Sequence, residues 1–378
     1  MPTPIYAPML QPGDHIGLAF PSQPLDPVKL DRYRFVLQGL GYKVKLGPLS
    51  GEILGRSSTV VSSERLGVSR DSLGQLGAQG QSDLDQPVAL GHRACGNPSL
   101  APATGQTLSP EEPIQAQGVD RLPSSGEPVL PSAADRAADF NALLADDQVK
   151  LILFGGGDGA VELLPLIDYG AIARSPKLIS SFSDASSLLM AIAAQTGLVT
   201  YYGLGLGAFT ALSHYNWRQF QQHFVAGPAG GPFLVDSPWR SLSAGAASGR
   251  LLACYAGLLP AMLHHPLWED SGWGRDPGQP LILALEDHEF FSSPGQVGTW
   301  LSFLEQQPFI EAVQGLIFGH FADSAPHELL ERLARFGADH HIPVVYCDDF
   351  GHGDRHAIWP IGATVTLDGN QASVEFLG

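Results

Sequence analysis

Short apolar runs alternate with helix-patterned segments along this chain, and no other feature limits its fold as much. His15-Ile16-Gly17-Leu18-Ala19-Phe20 reads as a buried strand stopped by Pro21-Ser22-Gln23-Pro24. Leu30 to Leu40 carries apolar residues at helical spacing and stops at Gly41, and Tyr42-Lys43-Val44-Lys45-Leu46 alternates as a strand. The pattern resumes at Ser132, which fits an N-cap for a helix reaching Leu144. Lys150 to Phe154 is a strand, Ala160 to Ile167 a helix, Lys177 to Phe182 a strand, Ala185 to Gln195 a helix and Leu198 to Tyr202 a strand. This succession predicts an α/β fold with a doubly wound parallel sheet.

Between residues 51 and 131 the pattern fails. The stretch is rich in Gly, Ser, Gln and Pro, contains no lysine and has no sustained period. It reads as a low-complexity, disordered insertion, with Thr59-Val60-Val61 and Pro87-Val88-Ala89-Leu90 as two short apolar patches. Residues 214–246, with Pro228, Pro232 and Pro238, read as an irregular linker. The expected domains are therefore 1–213, including the insertion, and 247–378. In the second, strands are expected at Pro280–Leu285, Gly315–Gly319 and Pro343–Cys347. Helices are expected at Gly295–Gln306 and Pro326–Phe336, with a terminal strand pair turning at Asp368-Gly369.

Charge and cysteine content narrow the function. The 378 residues carry a formal net charge of -17, which repels nucleic-acid phosphates and anionic membrane surfaces. The three cysteines, Cys95, Cys254 and Cys347, form no paired framework, which suits a reducing compartment. The N-terminus has no basic stretch followed by an apolar one, and no apolar run reaches the ~18 residues of a membrane helix. The expected location is cytoplasmic.

In open α/β sheets, sites form at the carboxyl ends of strands. Three such ends carry reactive residues: Ser183-Asp184, Glu286-Asp287, and His352 within Phe350-Gly351-His352-Gly353. Serine, carboxylate and imidazole are the parts of a hydrolytic triad, in which the imidazole takes the serine proton and the carboxylate orients it. Spacing alone does not bring the three together. Ser183 lies on a strand-to-helix turn, which can lift a hydroxyl above the sheet as a nucleophile elbow, or it simply caps the following helix. As an elbow, it would be flanked by the Asp184 amide, positioned to stabilise an oxyanion.

The run Gly155-Gly156-Gly157-Asp158-Gly159 stays open to three readings. An amide near Gly156 could be the second oxyanion donor. Gly156-Gly157-Asp158-Gly159 also resembles the phosphate-binding GGDG of NAD and diacylglycerol kinases, although Ala160 replaces the threonine found there. The plainest reading is a tight turn. His264-His265 and His340-His341 are poorly spaced for chelation. His288 lies close to two carboxylates, and Gly353 spoils the helical spacing of His352 and His356.

The same residues carry a family resemblance. Gln11-Pro12-Gly13-Asp14-His15-Ile16-Gly17 followed by Pro21-Ser22 looks like an opening "KPGD-x-I-G…PS", and Asp135-Arg136-Ala137-Ala138-Asp139-Phe140-Asn141 like "ERAADLN". Ser181-Phe182-Ser183-Asp184 takes the place of "GYSD", Leu285-Glu286-Asp287 matches "LED", and Gly351-His352-Gly353 matches "GHG". Five motifs in order resemble the LD-carboxypeptidase family of serine peptidases, which includes microcin C self-immunity hydrolases. The resemblance implies a flavodoxin-like N-terminal domain carrying Ser183, and a β-rich α/β C-terminal domain carrying Glu286 and His352. It implies a Ser-Glu-His triad, no metal or cofactor, a small murein-peptide-like substrate and a homodimer.

The activity it implies is release of a terminal D-amino acid from an L,D-peptide bond, as in murein tetrapeptide recycling. The alternatives are a peptidyl-nucleotide amidase of the immunity type and a non-catalytic peptide-binding relative. Three departures bear on the substrate. "RGGYG" reads Gly155 to Gly159, "GGN" is missing around Leu252-Ala253-Cys254-Tyr255, and "HGP" reads Tyr202-Gly203-Leu204. These positions are expected to flank the substrate.

Overall fold

The computed structural model describes residues 2–56, 130–227 and 230–377. Most of the expected insertion, with its two apolar patches and Cys95, lies outside the described residues. Its first turn does not: residues 51–56 complete a helix, Pro48–Arg56.

The first five strands are β1 (His15–Ala19), β2 (Lys43–Leu46), β3 (Val149–Phe154), β4 (Leu178–Ser181) and β5 (Thr200–Tyr202). They run parallel in the order 2-1-3-4-5, the flavodoxin-like arrangement. Leu151 to Phe154 and all of β4 are buried, as strands covered by helices on both faces must be. Local signals set the helix ends. The Asp26 carboxylate accepts from the amides of Val28 and Lys29, with Pro27 in the first turn of the helix Pro27–Gly39. Ser132 caps Ala133–Ala145 through the Asp135 amide. The helix expected at Ala160–Ile167 is instead a 3₁₀ helix, Ala160–Leu166, because Pro165 cannot donate to an α-helical ladder.

The remaining strands are β6 (Gly231–Pro232), β7 (Arg240–Ser243), β8 (Ala246–Tyr255), β9 (Leu281–Glu286), β10 (Val313–His320), β11 (Val344–Gly351), β12 (Trp359–Ile361), β13 (Thr364–Asp368) and β14 (Ser373–Leu377). The second sheet is ordered 6-14-13-8-9-10-11-7. Its centre, β8 to β11, is parallel, and antiparallel strands close both sides. The chain is thus a mixed α/β protein with a parallel sheet and a second, strand-rich one. The helix Ser186–Thr196 is buried on every side from Ser186 to Ala194, because it packs against β4 and β5 of one sheet and β8 of the other.

Two further features depart from the sequence reading. β12 does not stay with the second sheet. It pairs antiparallel with β5, Trp359 opposite Tyr202, and completes the first sheet. The 214–246 stretch is not an irregular linker. It holds the helix His214–Phe220, a π-helical continuation Gln221–Ala226, and strands β6 and β7. Its prolines do not prevent this, since Pro232 sits in an edge strand and Pro238 between strands.

Candidate active site

Ser183 follows β4 with φ of 61°, a left-handed conformation rare outside glycine. The residue before it is extended, and a 3₁₀ turn, Ser183–Ala185, leads into the helix Ser186–Thr196. This is the sharp strand-turn-helix junction that turns a side chain out of a sheet. The capping alternative does not match the geometry. Neither that turn nor that helix has a side-chain cap. The Ser183 hydroxyl lies 2.9 Å from His352 Nε2 instead.

His352 Nδ1 is 2.8 Å from Glu286 Oε2. A carboxylate only accepts, so Nδ1–H donates and Nε2 turns its lone pair to the Ser183 O–H. Glu286 ends β9 fully buried, while the His352 side chain is 14% exposed. Burial alone would lower the pKa of His352. The charge and hydrogen bond of Glu286, with Asp287 adding to them, outweigh burial and raise it. The three residues that sequence singled out therefore form one continuous hydrogen-bonded chain.

The crossover between sheets makes this possible. Residues 352–358 carry the chain from β11 in one sheet to β12 in the other. The supposed linker holds this crossover. The Asn216 side chain accepts from the His356 amide and donates to the Asp354 carbonyl, and Gln219 Oε1 accepts from the Ile358 amide. Nothing in the sequence marked Asn216 or Gln219. Gly203 is required here as well: a β-carbon on it would lie 1.8 Å from the Ala357 carbonyl oxygen.

Tyr202 was also missed as a site residue. Its hydroxyl accepts from the Ser183 amide at 3.2 Å and donates to Glu286 Oε1. Tyr202 is fully buried, so it stands behind the carboxylate rather than flanking a substrate as its motif position implied. Tyr255, in the place of the missing "GGN", donates from its hydroxyl to Asp287 at 3.0 Å, and its ring centre is 5.9 Å from that of His352. Burial raises the pKa of Asp287. Phe182 and Phe291 also face His352, at 5.3 and 4.9 Å between ring centres. Phe291 and its neighbour Phe290 are 56% and 83% exposed, an apolar lip beside the imidazole.

Gly156 packs on the elbow. A β-carbon there would come within 2.7 Å of Ser183 Cβ, so only glycine lets this backbone approach the hydroxyl. The Asp184 carboxylate, its pKa raised by burial, accepts from the Ala160 amide and ties the elbow to the loop after β3. The Asp158 amide donates to the Ser22 carbonyl at 2.8 Å, so the loop after β3 is joined to the loop after β1.

Of the other histidines, His288 lies near the site, its ring centre 5.7 Å from that of His320 and 6.2 Å from that of His352. His265 accepts from the Leu267 amide, and His340 lies beside Glu305. His288 accepts from the Phe290 amide, with its pKa lowered by burial and by His320 and His352. His320 pairs with Asp348. Among the described residues, no group of three His, Cys, Asp or Glu is arranged to hold a metal ion. No helix among them is long and apolar enough to cross a membrane.

Comparison with known proteins agrees with this architecture. Residues 111–203 match the LD-carboxypeptidase N-terminal domain and residues 248–367 its C-terminal domain. A Vibrio cholerae protein named "Putative carboxypeptidase" is 45% identical over 276 residues, covering 63% of this chain and 78% of its own. The crystal structure of an MccF-like protein from Bacillus anthracis superimposes with a TM-score of 0.68 at 21% identity, over 99% of both chains. A muramoyltetrapeptide carboxypeptidase from Oxalobacter formigenes gives 0.63 at 18% identity, over 96% of this chain and 97% of its own. Two matched domains, a close relative and a shared fold converge: the chain belongs to the LD-carboxypeptidase family and is a carboxypeptidase-like hydrolase.

Proposed function

We propose that this protein is a serine carboxypeptidase that releases a terminal D-amino acid from the L,D-peptide bond of murein tetrapeptide-like substrates. The observation that carries the chemistry is the unbroken sequence Ser183 Oγ, His352 Nε2, His352 Nδ1, Glu286 Oε2, at 2.9 and 2.8 Å. Ser183 attacks the scissile carbonyl while His352 takes its proton. Glu286 holds the imidazole tautomer and stabilises its charge. The amides of Gly156 and Asp184 receive the developing oxyanion, a contribution of about 3 kcal/mol per donor in comparable sites. His352 then passes its proton to the leaving amine, and water resolves the acyl-enzyme by the same route. The family supports the substrate class.

The test is mass spectrometry of products from a panel of murein peptides, run beside Ser183→Ala. Loss of a terminal D-residue with the native protein, and none with the variant, is the expected result. Near-native turnover by Ser183→Ala would sink the nucleophile assignment. A second reading, amide cleavage in a peptidyl nucleotide, is favoured by one feature: the exposed ring of Phe291 beside His352, with the exposed ring of Phe290 against His288, offers a stacking surface for a base. A nucleotide amide in the same panel separates the two. If neither substrate is cleaved and Ser183 forms no acyl adduct, the chain is a non-catalytic peptide-binding relative.

A further inference from the structure

Tyr202 ends β5 in the first sheet, fully enclosed, yet its hydroxyl touches groups from both sheets. The direction of each bond is fixed by chemistry. The Ser183 amide can only donate and the Glu286 carboxylate can only accept, so the phenol accepts from one and donates to the other. Burial first, and the Glu286 charge second, push the Tyr202 pKa well above its ordinary value, so the O–H stays in place. Both oxygens of Glu286 are then used, Oε2 by His352 and Oε1 by Tyr202.

This arrangement has two consequences. A donor on Oε1 stabilises the carboxylate charge and weakens its hold on the imidazole proton at Oε2. The same hydroxyl also gives a partner to the amide of Ser183, the residue held at φ 61°. The nucleophile's backbone and the orienting carboxylate come from different sheets, and one side chain of β5 joins them.

We propose that Tyr202 is a positioning residue: its hydroxyl couples the Ser183 elbow to Glu286 and sets how strongly Glu286 retains the His352 proton. This rests on the reading of Ser183, His352 and Glu286 as the triad. The charged and titratable groups around His352 are Glu286 and Asp287, with His288 and His356 as neighbouring imidazoles and the Tyr255 phenol facing its ring. Tyr202 itself faces Glu286 and the buried Cys254 thiol. Burial and Glu286 push that thiol's pKa up, so it remains neutral.

The experiment is Tyr202→Phe, which keeps the ring and removes the hydroxyl. The His352 titration, followed by ¹⁵N NMR of the imidazole, is expected to move up by about one pH unit, the scale of one lost charge-assisted hydrogen bond. With a murein tetrapeptide as substrate, the acid limb of kcat/KM should move the same way. The plateau kcat should fall about tenfold with KM unchanged. Incorporating 3-fluorotyrosine at position 202, an isosteric and stronger donor, should move the titration down. It also serves should Tyr202→Phe fail to fold.

A His352 titration that stays at its native position in these variants overturns the proposal, even if thermal stability drops, because a purely structural tyrosine would lower stability alone. The NMR reading does not need turnover. An active Ser183→Ala therefore removes the triad reading, whereas an unmoved titration beside an inactive Ser183→Ala removes only the role of Tyr202.

Discussion

Ser183 Oγ and His352 Nε2 lie 2.9 Å apart although 169 positions of sequence separate them. The contact exists because the chain leaves the second sheet at Gly351 and enters the first at Trp359, next to the strand that follows the Ser183 helix. His352 sits on that crossing. Its partner Glu286 ends an inner strand of the second sheet, so each member of the constellation is held by a different strand end.

The pH dependence of activity follows from this pairing. Only neutral His352 can accept the Ser183 proton, and Glu286 raises its pKa above the ordinary 6.5 despite burial. Activity should therefore fall as pH drops, with the acid limb of kcat/KM centred above the usual imidazole range. A pH–rate profile measures it. A limb centred below 6.5 would contradict the raised pKa.

Glu286→Gln should keep the shape of the site and lose its electrostatics. If the proposed triad holds, an amide can donate to Nδ1 and hold the wrong tautomer, so kcat should drop by about 10³ to 10⁴, as in known serine triads, with the fold intact. Single-turnover kinetics and circular dichroism check the two halves of this statement. Full activity would mean that the carboxylate plays no part.

Gly203→Ala tests the crossover. Gly203 has φ of 131°, and a methyl group there would meet the Ala357 carbonyl oxygen at 1.8 Å. The backbone must shift, with a loss of stability of about 2 kcal/mol or more. The displaced segment carries His352, so kcat should fall with stability. Urea unfolding and steady-state kinetics give both values, and an unchanged enzyme would refute the close approach.

Stability toward acid should depend on two buried imidazoles outside the proposed triad. Burial pushes the pKa of His223 down to about 3 and, with the His352 charge, that of His356 down to about 4. Below pH ~6.5 the unfolded chain binds protons at these positions and the folded chain does not, so stability declines as pH falls from there toward 4. His356 alone contributes about 3 kcal/mol of that decline. Urea midpoints at pH 7 and pH 5 should differ less in His223→Phe than in the native protein.

The sequence by itself determined the elements and their chemistry. Strand-to-helix periodicity depends on local burial, so it placed the parallel strands and put Ser183, Glu286 and His352 at their carboxyl ends. It also marked the glycine run where backbone approaches the hydroxyl, since that need for small residues is written in the residues themselves. What lay beyond it was pairing between distant segments. β12 is a short strand whose partner, β5, is fixed only by packing, and β6 and β7 are edge strands amid prolines. Asn216 and Gln219 became supports of the His352 crossover through bonds to backbone more than a hundred residues away. Tyr202 stood at a motif position expected to flank the substrate until tertiary structure put its hydroxyl between two sheets. A hydrogen bond of that kind has no period and no local signature, so only the folded chain decides it.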